Sequence, residues 1–269
     1  MTDVWPHETG DFSLGSATIN GAVVRFAVAG MGPPVLLLHG WGGEIKSWGI
    51  LPGALLDRGF RVLVLDLPGF GASSLPAAWS INDYARCVRE LAAQVGIERC
   101  DIVAHSFGGR VALVLGATDP AFIIRLALMA PAGIRLKSFR LTVWSKVIYP
   151  VLRTFRRGAQ SIGLRSGESI GDAFYRRVGA VDYANAQGTL RSTFVKVVRE
   201  DLRTYARQVK APTLLIWGEL DRETPLLQGK ILSQLIPDCG LVVIPGAGHF
   251  AYLERSDYCL TVIAHFLGR

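Results

Sequence analysis

Six short runs constrain this chain more than any other feature: residues 35–38, 60–66, 100–103, 123–129, 213–217 and 241–244. Each is mostly apolar, rich in Val, Ile and Leu, and too short for a buried helix. Mostly apolar runs of this length mark strands covered on both faces. Segments with helical spacing lie among and after them, at 48–58, 81–95, 111–118, 225–236 and 257–267; in the second, Ile81, Tyr84, Ala85, Val88, Leu91, Ala92 and Val95 share one face. Strands alternating with helices over short connections imply a mostly parallel, doubly wound sheet with helices on both faces, an α/β fold. Ahead of the runs, residues 12–19 and 22–29 read as two strands joined by Asn20-Gly21, a strong hairpin signal. The chain has 269 residues, half of them apolar, enough for a sizeable core.

The alternation stops at Pro131 and resumes at Pro212. The intervening stretch is helical in flavour and interrupted by Pro150 and several glycines. The predicted organisation is therefore one domain in two parts, residues 1–131 and 211–269, with a helical cap of residues 132–210 inserted between them. Charge supports the division. Residues 135–210 hold 16 Lys or Arg against 5 Asp or Glu, whereas the remainder holds 13 against 17. The net charge of +7 thus resides in the insertion.

The third run leads into the stretch Ile102-Val103-Ala104-His105-Ser106-Phe107-Gly108-Gly109. A strand, a tight turn and a helix with serine at the apex form a nucleophile elbow, which lifts the hydroxyl clear of its own backbone. Positions two before and two after the serine must be small. They are Ala104 and Gly108, the alanine a mild departure from the usual glycine.

A serine hydroxyl near neutral pH needs a base to accept its proton and a carboxylate to orient that base. The chain has five histidines. His7 lies in an irregular start, His39 ends a strand ahead of the elbow, and His265 falls in the last helix. His105 adjoins the serine with its side chain directed elsewhere. His249, in Pro245-Gly246-Ala247-Gly248-His249-Phe250, follows a strand end in a glycine-rich loop, at the sheet edge where open α/β sheets place their sites. The acid is expected at the end of the preceding strand, where Asp221 competes with Glu219 and Glu223. Oxyanion donors are expected from the backbone N–H groups of Phe107, at the start of the elbow helix, and Trp41, in the loop His39-Gly40-Trp41-Gly42-Gly43. His39 and Asp66 are read as ordering the loops at strand ends.

Taken in order, His-Gly-Trp-Gly, Asp-Leu-Pro-Gly-Phe-Gly-x-Ser, the elbow, Gly-x-x-Asp-x-x-x-Pro and Gly-x-Gly-His-Phe resemble the α/β-hydrolase superfamily across essentially the whole chain outside the insertion. The resemblance implies an α/β-hydrolase fold: an eight-stranded sheet, mostly parallel with the second strand reversed, and a lid after the sixth strand. It maps nucleophile, acid and base onto Ser106, Asp221 and His249, and implies no cofactor and no metal. A serine at 106 sets the chain apart from relatives that attack with aspartate, the haloalkane dehalogenases and epoxide hydrolases.

The activity expected from this resemblance is hydrolysis of carboxylic esters with small or medium acyl chains, Trp41, Phe139, Trp144 and Phe250 being candidate pocket residues. Carbon–carbon hydrolysis of ring-cleavage products uses the same triad, but relatives of that kind place Trp directly after the histidine, where this chain has Phe250. The basic lid leaves open thioesters and carrier-bound esters, as in the pimeloyl-carrier-protein methyl ester esterases. Outside enzymes, a ligand receptor retaining the triad is the alternative.

Residues 139–157 mix aromatic and aliphatic side chains with Arg140, Lys146, Arg153, Arg156 and Arg157. Such a stretch suits a solvated outer face, an anionic membrane surface or an acidic carrier protein. Nucleic acid is not an expected partner, because no recognised module accompanies the charge. No apolar run reaches the roughly 18 residues of a membrane span, and no secretory signal is visible. The four cysteines, Cys87, Cys100, Cys239 and Cys259, show no metal-type spacing. A cytoplasmic location is expected.

Overall fold

The computed structural model describes residues 12–136 and 187–269. Eight strands form one sheet: β1 (Ser13–Ile19), β2 (Ala22–Ala29), β3 (Pro34–Leu38), β4 (Arg61–Leu65), β5 (Cys100–His105), β6 (Ile123–Met129), β7 (Thr213–Gly218) and β8 (Cys239–Ile244). Their order is β1-β2-β4-β3-β5-β6-β7-β8. Strand β2 runs antiparallel to both β1 and β4, and every pairing from β4 to β8 is parallel. All six apolar runs and both hairpin strands are therefore strands, and the second is the reversed one. Asn20 and Gly21 both take positive φ, as their two-residue turn requires.

The helices are α1 (Leu51–Asp57), α2 (Ile81–Gln94), α3 (Phe107–Thr118), α4 (Gly188–Arg199), α5 (Arg203–Ala206), α6 (Leu226–Leu235), α7 (Ala251–Glu254) and α8 (Ser256–Phe266), numbered among the described residues. A 3₁₀ turn, Ile45–Trp48, precedes α1. Side chains alternate across the sheet, so Val35, Leu37, Val62, Val64, Val103 and Ala127 pack on one face against Trp48, Leu51, Leu55 and Ile263. Leu36, Leu38, Leu63, Leu65 and Ile102 point the other way, toward α2 and α3, and are equally buried. Each fully buried leucine or valine stabilises the fold by roughly 1.5–3 kcal/mol, so the central strands dominate the core.

Helix α2 starts where Ser80 accepts from the backbone N–H of Asp83 while the Asp83 side chain accepts from the N–H of Ser80, a reciprocal cap. Of the described residues, 12–134 and 187–269 fall in one compact unit, so α4 and α5, at the end of the stretch read as a cap, group with the sheet. Residues 137–186 of that stretch, including Phe139 and Trp144, lie outside the described residues. Among the described residues no helix is long and apolar enough to cross a membrane.

Candidate active site

Ser106 sits between β5 and α3 with φ 47° and ψ −107°, a conformation that non-glycine residues rarely adopt. Neighbouring backbone holds it there: its N–H donates to Met129 O at 3.0 Å, and its carbonyl accepts from Ala132 N at 3.1 Å. The two glycines that follow have no room for a side chain. A Cβ on Gly108 would lie 1.9 Å from the Leu38 carbonyl oxygen, and one on Gly109 would lie 2.5 Å from Pro131 Cβ. The first turn of α3 is thus pressed against the ends of β3 and β6, which is what turns the chain so sharply at the serine.

The loop after β3 lies against the elbow. The N–H of Gly108 donates to His39 O at 3.0 Å, and a Cβ on Gly40 would come within 3.4 Å of Ser106 Cβ. His39 and Asp66 order the strand-end loops, as their positions suggested. His39 Nε2 accepts from Leu67 N at 2.9 Å and its Nδ1 donates to Gly40 O at 2.7 Å. Burial pushes the His39 pKa down to about 4, so the ring is neutral near neutral pH and one nitrogen is free to accept. Asp66 accepts from Ile45 N at 2.6 Å and Ala72 N at 2.8 Å.

Asp221 was the expected acid, with Glu219 and Glu223 as its competitors, and the surroundings of the three differ. Asp221 Oδ2 lies 2.8 Å from His249 Nδ1, with the Asp221 side chain fully buried and that of His249 6% exposed. Glu219 accepts instead from Gly246 N at 3.0 Å, and so braces the histidine loop. Glu223 stands on the opposite side of the ring, its Oε2 3.5 Å from Nε2 and its side chain 62% exposed. The acid and histidine loops are laced together by Glu219 N to Ile244 O (3.0 Å) and Leu220 N to Ala247 O (2.8 Å).

Asp221 has four donors. Its Oδ1 accepts from Glu223 N and Thr224 N, each at 2.9 Å, and its Oδ2 accepts from His249 Nδ1 and, at 2.7 Å, from the Thr224 hydroxyl. Burial raises the carboxyl pKa. The hydrogen bonds and charge of His249, with the bonds from Thr224, outweigh it and hold the group below its ordinary value. An ionised acceptor fixes the proton of the neutral imidazole on Nδ1, leaving Nε2 as a base.

Thr224 was not singled out in the sequence, although it stands three residues after the acid. Its hydroxyl lies 3.2 Å from His249 Nδ1 as well as against Asp221. Thr224→Val, which keeps the shape and removes the hydroxyl, is expected to lower turnover about tenfold with little change in KM. Thr224→Ser should restore most of the loss, and steady-state kinetics on the three proteins check this.

His105 is directed at the histidine loop. Its Nε2 donates to His249 O at 3.0 Å, and the two rings lie 4.7 Å apart. Burial, then the neighbouring His249, push its pKa down to about 3. It is a neutral strut under the base.

Trp41 makes edge-on contacts with Phe70, Phe107 and Phe194 at centroid distances of 4.8, 5.1 and 4.9 Å. Phe194, on α4, was missed because nothing in its local pattern reveals a partner over 150 residues away. Phe250 packs 5.3 Å from His249 and 5.2 Å from His105 and is 44% exposed. Among the described residues, no three His, Cys, Asp or Glu side chains are grouped to hold a metal ion.

Comparison with known proteins agrees with the fold. The chain is 28% identical over 275 residues to the 2-hydroxy-6-oxo-6-phenylhexa-2,4-dienoate hydrolase of Comamonas testosteroni, covering 96% of each protein. A solved hydrolase from Pseudomonas aeruginosa superposes with a TM-score of 0.73 at 26% identity, over 95% of this chain and 98% of that one. The enol-lactonase of Burkholderia xenovorans shares the fold, with a TM-score of 0.71 at 24% identity over 95% of this chain and 100% of that one. The model of the alpha/beta hydrolase fold matches residues 33–256, and the chain belongs to that family.

Proposed function

We propose that this chain is a serine hydrolase that cleaves carboxylic esters of small or medium acyl chains through an acyl-enzyme. The buried Asp221–His249 pair at 2.8 Å carries the reading, because it supplies an oriented base in the same site region as a serine on a strained elbow.

In the proposed cycle, Ser106 Oγ attacks the ester carbonyl while its proton passes to His249 Nε2. The Asp221 carboxylate stabilises the imidazolium. The backbone N–H groups of Trp41 and Phe107 receive the oxyanion, an interaction formed in full only as charge develops. His249 then gives the proton to the departing alkoxide. Water attacks the acyl-enzyme while His249 takes its proton, and His249 returns that proton to Ser106 Oγ as the carboxylic acid departs. The aromatic cluster around Trp41 and the ring of Phe250 wall the acyl and alcohol sides.

A second reading, carbon–carbon hydrolysis, draws support from the Comamonas relative, whose name specifies a dienoate substrate. Phe250 directly after His249, where ring-cleavage hydrolases carry Trp, favours the ester. Hydrolysis of p-nitrophenyl esters from acetate to palmitate tests the choice. Turnover peaking at short or medium chains is the expected result. A flat, near-zero profile from folded protein, together with release of benzoate from the phenyl dienoate, would replace the ester reading with the second.

A further inference from the structure

We propose that Glu223 selects against substrates whose leaving group is anionic and favours neutral or cationic ones. The inference rests on the ester reading and specifies which alcohols that site accepts.

His249 lies between two carboxylates that differ in every respect except charge. Asp221 meets Nδ1 in the interior. Glu223 Oε2 stands 3.5 Å from Nε2, an ion-pair separation, with its side chain 62% exposed. Among the described residues no Lys or Arg pairs with Glu223. Among the described residues, the ion contact that its carboxylate makes is the one to the imidazole. The side chain is exposed, but its root is fixed, because Glu223 N donates to Asp221 Oδ1 at 2.9 Å and Thr224 N donates to the same oxygen.

Nε2 must reach the leaving oxygen within about 3 Å to protonate it. Two atoms each within about 3.5 Å of Nε2 lie no more than about 7 Å apart. The leaving alcohol therefore departs past the Glu223 carboxylate. An anion carried a few ångströms beyond the leaving oxygen falls within about 10 Å of that carboxylate, the screening length at 0.1 M salt. Repulsion at that range, weakened by solvent, corresponds to a few-fold to about tenfold in rate. An ammonium in the same place gains a similar factor. The dienoate named for the Comamonas relative carries an anion on the fragment that leaves, and this site resists such a fragment.

The test uses one acyl group on three phenols: 3-hydroxybenzoate, phenol and 3-hydroxyphenyltrimethylammonium. Wild-type kcat/KM, normalised to each ester's hydroxide-catalysed rate, should rise from anion to neutral to cation. Glu223→Gln should flatten the series by about three- to tenfold, Glu223→Lys should invert it, and 1 M salt should mute it in the wild type. Both variants alter only an exposed side chain, and equal melting temperatures would verify the fold. An unordered wild-type series, or the same order in Glu223→Gln, would overturn the proposal while leaving the esterase standing. No Ser106-dependent turnover of any of the three esters would overturn the ester reading and this inference with it.

Discussion

Ser106→Ala is expected to lower kcat by about 10⁵- to 10⁶-fold on any ester the wild type hydrolyses, with the protein folded and substrate binding nearly intact. The serine is the only atom source for the acyl-enzyme in the proposed cycle, and His249, Asp221 and the oxyanion N–H groups do not replace it. Stability should hardly move, because alanine at φ 47° is as strained as serine and the hydroxyl caps no helix. Ser106→Gly should be equally inactive and about 1 kcal/mol more stable, since glycine accepts positive φ at little cost. Rates and melting temperatures of the three proteins together separate the catalytic role of the hydroxyl from the strain of its backbone. An Ser106→Ala protein that retained a tenth of the activity would end the triad assignment.

Gly108→Ala is expected to cost about 3 kcal/mol or more, with a fall in Tm of roughly 6–12 °C and loss of activity well below that temperature. The added methyl has no compliant neighbour. It would sit 1.9 Å from Leu38 O and 2.7 Å from His39 O, both backbone atoms at the end of β3. Helix α3 must retreat, breaking the 3.0 Å bond from Gly108 N to His39 O and moving Ser106 away from the loop of Trp41. Gly240→Ala is the control: its nearest neighbour would be a leucine methyl at 3.5 Å, and its φ is not positive, so Tm should change little. Equal Tm for Gly108→Ala and wild type would refute this account of the elbow.

What could be read from sequence divides along physical lines. Strands were legible because burial on both faces leaves a mostly apolar run, and β3, β4, β6 and β7 were found to within a residue or two. Ser106 and His249 were legible because each stands at a strand end among glycines. Asp221 was expected over Glu219 and Glu223 from the family order of the motifs, but residue type alone hides the choice, because three carboxylates within five residues differ only in where the backbone aims them. One reaches Nδ1, one caps Gly246, and one faces Nε2. The roles of Thr224, His105 and Phe194 were equally hidden, since each is defined by a partner remote in sequence and carries no periodic signal. Phe139 and Trp144 stand as proposals for the acyl pocket.

The register that unites the site is set by strand β6 lying beside β7, with Leu126 to Met129 opposite Thr213 to Ile216. On one side of that seam are the nucleophile and the loop of Trp41; on the other are the acid and the base, already joined by their own loops. Within the stretch from Met129 to Thr213, Ala130 N donates to Ile216 O at 2.9 Å, Ala132 N donates to Ser106 O at 3.1 Å, and Phe194 packs on Trp41, so its described ends take part in this alignment. Four paired residues on each of two neighbouring strands thus set how Ser106 stands to His249, two residues that lie 143 positions apart in the chain.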